Sequence, residues 1–139
     1  MIYTGIDLIE IDRFEQAVAR WGERFLRRVF TAGELERYSA RLPSLAVRWA
    51  AKEATAKLLG VGLRGLGGAV RRPGLEAVGW TEIEVLSDTH GRPTLTLHGQ
   101  AAARARALGL GPVAVSLSHT RLHAVASATA LADPRFTAA

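Results

Sequence analysis

The chain has 139 residues, 48% hydrophobic and 22% charged, and its 18 Lys and Arg against 13 Asp and Glu leave a net charge of +5. That is room for one folded domain, 1–139, and its composition excludes a disordered tail or a collagen-like fibre. The absence of cysteine excludes disulfides, thiolate metal sites and cysteine nucleophiles, and no apolar run approaches the roughly 20 residues that span a bilayer. With no basic region ahead of the first apolar stretch, the expectation is a cytoplasmic protein with no membrane partner. Ile2 to Ile11 is rich in β-branched residues and opens the chain as a strand. Asp12 with Glu15 has the form of a capping box, ahead of a helix over about 13–28. Phe14, Ala17, Trp21, Phe25 and Val29 give that helix an apolar stripe, while Arg13, Arg20, Arg24, Arg27 and Arg28 crowd its polar side. Thr31 with Glu34 opens a short helix to about Ala40. Pro43 and Ser44 punctuate, and Leu45 to Leu59 reads as a helix closed by Gly60. A glycine- and arginine-rich loop fills 60–79.

Thr81–Leu86 and Pro93–Leu97 read as strands of a hairpin, followed by an alanine-rich helix from Gly99 to Leu108. Val113–Leu117 and Ala124–Ala130 are the last strands, around a polar turn at Ser118–Leu122, with a frayed tail after Asp133. This order gives an α+β fold, a mainly antiparallel sheet packed with helices.

Asp7 lies inside an apolar strand, where a carboxylate is costly unless paired, metal-bound or capping a turn. Glu53 and Lys57 stand four residues apart on one helix face, among alanines at 50, 51, 54 and 56 that leave room for a ligand or a second chain. Asp7 and Glu53 supply two hard oxygen ligands and Lys57 a point charge. That set suits a magnesium ion whose remaining ligands are phosphate and water. All but two of the cationic side chains are arginine, the exceptions being Lys52 and Lys57, and a surface this basic favours anionic partners. The glycine-rich run 60–68 lacks the Gly-Lys-Ser/Thr ending of a P-loop, and His90, His98, His119 and His123 fit no zinc spacing.

Several segments, taken in order, carry a family pattern: Gly5-Ile6-Asp7-Leu8-Ile9-Glu10-Ile11 with Arg13, Phe30-Thr31 with Glu34, and Arg48-Trp49-Ala50-Ala51-Lys52-Glu53-Ala54 with Lys57. Ile83-Glu84-Val85 leading to Asp88, Gly91-Arg92-Pro93 and Val115-Ser116-Leu117-Ser118-His119-Thr120 complete it. On these residues the chain resembles the holo-acyl-carrier-protein synthases, the small phosphopantetheinyl transferases. The resemblance implies Mg2+-dependent transfer of 4′-phosphopantetheine from coenzyme A to a serine of apo acyl carrier protein, releasing adenosine 3′,5′-bisphosphate and serving fatty acid (lipid) biosynthesis. It implies Asp7 and Glu53 as metal ligands and Lys57 as a catalytic cation, with the general base left unassigned. Arg48 and His119 match positions near the 3′-phosphate of coenzyme A, and Gly91, Arg92 and Pro93 match a turn along it. Arg13 belongs to the carrier-docking pattern. Arg20, Arg24, Arg27 and Arg28 extend that docking face by charge and helical position. The resemblance further implies a homotrimer with coenzyme A between subunits. Two departures stand out: the stretch 65–79 is longer than the family pattern, and Arg92 stands where lysine is frequent.

Two other readings compete. A nucleic-acid-binding domain explains the basic charge but leaves Asp7 and Glu53 without a role, and aromatic residues are only 6% of the chain. A magnesium-dependent phosphohydrolase explains the carboxylates and differs in its acceptor, water instead of a protein serine.

Overall fold

The computed structural model describes residues 1–65 and 76–136. Strands β1 (Ile2–Glu10), β4 (Ala114–His119) and β5 (His123–Leu131) form an antiparallel sheet in the order β1-β5-β4. Strands β2 (Ile83–Ser87) and β3 (Pro93–Leu97) form a separate antiparallel hairpin with the bounds of β3 as expected. The described residues include four helices, α1 (Ile11–Val29), α2 (Ala32–Tyr38) and α3 (Leu42–Leu59) against the strands and α4 (Gly99–Ala107) against α3. The α+β reading therefore stands. The expected long loop falls largely on 66–75, outside the described residues.

Helix α3 is the axis of the fold. It lies against β1, β5 and β4 on one side and meets α1, α2 and β2 on others. Such a helix is apolar nearly all round, as buried helices are. Its Ala50, Ala51 and Ala54 are fully buried, as are Ala124, Ala126, Ala128 and Ala130 on the inner side of β5. Small residues on both elements let helix and sheet approach closely. The alanines that the sequence offers as room for a ligand or second chain are thus filled by the sheet. Gly5 completes the approach, since a Cβ there would overlap the carbonyl oxygen of Ala54. An aromatic cluster closes the opposite side: Phe14 lies 5.3 Å from Trp49 and 6.1 Å from both Phe25 and Phe30, by ring centroids.

Several local expectations shift, each for a physical reason. Asp12 and Glu15 form no capping box, because β1 runs straight into α1 and the Ile11 amide donates to Leu122 O (2.9 Å) instead. Pro43 sits in the first turn of α3, where a missing N–H costs nothing, so that helix begins before Leu45. Trp80–Glu82 form a 3-10 turn where the expected strand would begin, and Pro134–Phe136 form another at the start of the expected frayed tail, whose remainder, 137–139, lies outside the described residues. Helix α1 is broken at Gly22, whose φ of 61° and ψ of −146° interrupt the helical period. Trp21 leaves the apolar stripe at that break and is 59% exposed, while Phe25 and Val29 rejoin the core.

The capping box at Thr31 and Glu34 is present, with Glu34 N donating to Thr31 Oγ1 (3.1 Å) and Thr31 N to Glu34 Oε1 (2.8 Å). Glu34 also anchors a buried charge network. Lys52 Nζ donates to Glu34 Oε1 (2.8 Å), Trp80 O (3.0 Å) and Ile83 O, and Val85 N donates to Glu34 Oε2 (2.8 Å). Both side chains are fully buried, and together they fasten α2 and α3 to the start of β2.

Candidate active site

The pleat of β1 sends Ile2, Thr4, Ile6, Leu8 and Glu10 outward and Tyr3, Gly5, Asp7 and Ile9 toward α3. Asp7 thereby meets the helical turn that carries Glu53 and Lys57. Lys57 Nζ donates to Asp7 Oδ1 and to Ile6 O, each at 3.0 Å. The i, i+4 spacing does put Glu53 and Lys57 on neighbouring turns, but the ammonium turns across the seam to the strand. Glu53 is partly buried beside this pair, and its carboxyl is pushed above the ordinary range. Burial is the main cause and the negative charge of Asp7 the second, with Lys57 offsetting part.

Two carboxylates in each other's field, one of them partly desolvated, form a site whose repulsion a cation relieves. Among the described residues no third His, Asp or Glu joins them to make a metal cluster. Magnesium suits such a donor set, because one or two carboxylates suffice when phosphate and water complete the octahedron. The residues present therefore fit the ion.

The other site residues of the sequence reading lie apart from this group. Arg48, five positions before Glu53, is only 5% exposed. Its guanidinium donates from Nε to Val85 O, from Nη1 to Ser44 O and from Nη2 to Ser87 Oγ, each at 3.0 Å, and stacks 3.4 Å above the Tyr38 ring. Ser87 is held from two further sides, its amide donating to the Tyr38 hydroxyl (2.8 Å) and its carbonyl accepting from Arg37 (3.4 Å). From Ser87 the chain enters the β2–β3 turn, where Asp88 Oδ1 accepts from the amides of His90 (2.8 Å) and Arg92 (2.9 Å). Gly91 takes φ of 81° there, a conformation glycine adopts without strain, and Arg92 projects into solvent ahead of Pro93. His119 closes β4, exposed, with Nδ1 3.3 Å from Thr120 O.

On α1, Arg13, Arg20, Arg24, Arg27 and Arg28 are all exposed. Arg27 pairs with Glu23 at 3.4 Å, Arg28 donates to Gly65 O (3.3 Å), and Arg20 lies over the Trp21 ring at 4.8 Å. Sequence reasoning missed Trp21 as a surface residue and Lys52 as a buried one. Gly22 was the available signal for the first. For the second it was a lysine flanked by Ala50, Ala51, Ala54 and Ala56, with no acidic residue at i±3 or i±4 on its helix.

Comparison with known proteins places these features in a wider set. The family model described as the 4′-phosphopantetheinyl transferase superfamily matches residues 3–118. The holo-[acyl-carrier-protein] synthase of Herpetosiphon aurantiacus is 56% identical over 126 residues, covering 91% of this chain and 95% of that protein. The protein of the same name from Chloroflexus aurantiacus is 51% identical over 137 residues, covering 95% and 99%. Among solved structures, the ACPS–CoA complex of Chronobacterium ammoniagenes superposes with a TM-score of 0.78 at 33% identity, covering 96% of this chain and 98% of that one.

Proposed function

The chain belongs to the 4′-phosphopantetheinyl transferase superfamily, and from that premise we propose that it is a holo-acyl-carrier-protein synthase acting as one domain over its whole length. It transfers 4′-phosphopantetheine from coenzyme A to a serine hydroxyl of an apo acyl carrier protein and so supports fatty acid synthesis. The convergence of Asp7, Glu53 and Lys57 carries the reading, since these three assemble two oxygen ligands and a half-exposed cation at one surface seam.

In the reaction the serine oxygen forms a bond to the β-phosphorus of coenzyme A while the bond to the departing adenosine 3′,5′-bisphosphate breaks. The serine proton leaves to a base that stays unassigned. Asp7 and Glu53 would hold a magnesium ion, which supplies charge neutralisation for the diphosphate when bound. Lys57 keeps its bond to the Ile6 carbonyl and offers its remaining N–H groups to phosphate oxygens as negative charge shifts toward the leaving group. Gly91, Arg92 and Pro93 line coenzyme A, and His119 approaches its 3′-phosphate. Arg48 keeps two of its five N–H groups for that phosphate, while two others hold the hairpin at Val85 and Ser87 and the fifth bonds back to Ser44 O on its own helix.

The arginines of α1 attract an acidic carrier protein, and exposed Trp21 among them adds an apolar contact. The outward face of β1 and β5 supports assembly as a homotrimer, because Ile2, Ile6, Leu8 and Leu131 are each 59–64% exposed on one side of the sheet. No helix among the described residues is long and apolar enough to cross a membrane.

Intact-mass spectrometry of apo carrier protein incubated with the protein, magnesium and coenzyme A tests the reading. The expected result is a gain of one phosphopantetheine that disappears with chelator and in Asp7→Ala or Glu53→Ala. No gain on several carrier proteins overturns it, and coenzyme A cleaved without carrier modification would identify a phosphohydrolase instead.

A further inference from the structure

Lys57 is both the cation that meets phosphate and the ion-pair partner of a proposed metal ligand. Its ammonium is fixed on two sides, by the carbonyl of Ile6 and by Asp7 Oδ1, and 56% of the side chain remains exposed. The Ile6 carbonyl belongs to the β1 main chain and serves as a fixed pivot. Asp7 has no other ion-pair partner among the described residues.

We infer that Lys57 competes with the divalent cation for Asp7, so that the protein alone binds the metal weakly and binds it tightly once a diphosphate draws the ammonium away. This rests on the reading of Asp7 and Glu53 as the metal pair. A monovalent cation 3.0 Å from Oδ1 satisfies that oxygen and repels an incoming dication. A diphosphate offers Lys57 a partner of higher charge on its solvent side, reachable with the Ile6 bond kept. Metal and diphosphate are then coupled through one side chain, and by linkage each strengthens the other by the same factor.

Titration with Mn2+ followed by electron paramagnetic resonance tests this without any carrier protein or turnover. Wild type, Lys57→Gln and Lys57→Arg are compared, each with and without coenzyme A. Lys57→Gln is expected to bind Mn2+ about fivefold tighter or more than wild type in buffer alone. Coenzyme A, whose phosphates also ligate the metal, should tighten both proteins but wild type by several-fold more than Lys57→Gln, and Lys57→Arg should remain weak in buffer alone, which separates charge from bulk. Thermal melts verify that the variants stay folded. If Lys57→Gln binds Mn2+ no tighter than wild type while coenzyme A still tightens wild type, the competition is refuted and the metal pair stands. If no protein binds Mn2+ under any condition, or binding survives Asp7→Asn unchanged, both readings fall together.

Discussion

Glu53 stands partly buried beside Asp7, and burial together with that second negative charge holds its carboxyl above the ordinary range, Lys57 offsetting part of the effect. A carboxyl raised in the folded state binds its proton more tightly there than in the unfolded chain. Stability therefore falls as pH rises from the ordinary carboxylate value of about 4.3 through the raised one. The ionised form is the one this site disfavours, and the neutral isostere removes that burden. Glu53→Gln should raise the melting temperature at pH 7 in metal-free buffer. The gain should fade below pH of about 4, where the native side chain is itself neutral. Carrier modification should be lost throughout. Calorimetry at the two pH values decides it, and an unchanged or lower melting temperature at pH 7 refutes the argument. Gly5 acts at the same seam through size. A methyl group there overlaps the Ala54 carbonyl and reaches toward the Leu58 amide, so β1 must lift off α3 and carry Asp7 away from Lys57. Gly5→Ala should cost about 1–3 kcal/mol in urea unfolding, as overpacking does. Modification activity should fall with it, and a variant of native stability would show that the strand has room to spare.

At the scale of elements, α3 concentrates what was legible in the chain and what was not. Its end at Gly60 was readable because a glycine with φ of 69° is a local signal, and the Thr31–Glu34 cap of α2 was readable for the same reason. Its place at the centre was not, because a helix buried all round loses the 3.6-residue contrast that pattern reading needs. Asp7, Glu53 and Lys57 could each be picked from their own segments. Their meeting depends on the β1 pleat and on Gly5, which only the packed structure displays. Two of the three acceptors of Arg48 are invisible in sequence for a related reason, since Val85 and Ser87 lie 37 and 39 residues away. The same holds for Lys52, which reads as surface charge until β2 and the Trp80 turn close over it. That lysine gives α3 its sharpest test. Lys52→Met removes the counter-charge of a fully buried Glu34 and two further hydrogen bonds, to Trp80 O and Ile83 O. Breaking one half of a buried pair costs about 3–5 kcal/mol. Lys52→Met should show that loss in denaturant unfolding, and adding Glu34→Leu to it should recover part of the loss. A single variant within 1 kcal/mol of wild type, below the usual range for such a break, would mean that water reaches the pair.

Across the whole molecule, charge and apolar surface are segregated. Arginines gather on α1, whereas the outer side of the three-stranded sheet displays Ile2, Ile6 and Leu8 along β1 with Leu131 of β5 paired directly opposite Ile2. Large apolar side chains exposed on one face, here interrupted by the Thr4–Thr129 pair, are a feature that monomers rarely keep in water. The inner side of the same sheet is occupied by α3, and among the described residues Ile2, Ile6, Leu8 and Leu131 stay exposed on the outer side, where a second chain could cover them. Three copies meeting through this face would bury it and bring neighbouring chains beside the β1–α3 seam that carries Asp7 and Glu53. Introducing charge at the centre of the patch should then separate the copies without disturbing the core, because Ile6 and Leu8 are 63% and 64% exposed in the single chain. Size-exclusion chromatography with light scattering is expected to report three chains for wild type and one for Ile6→Lys/Leu8→Lys, with helical circular dichroism retained. The melting temperature of wild type should rise with protein concentration, as it does for any assembly that binds only its folded members, and that of the double variant should not. If wild type runs as a single chain at micromolar concentration with full carrier-modifying activity, the sheet face has some other use and the site is complete within one chain.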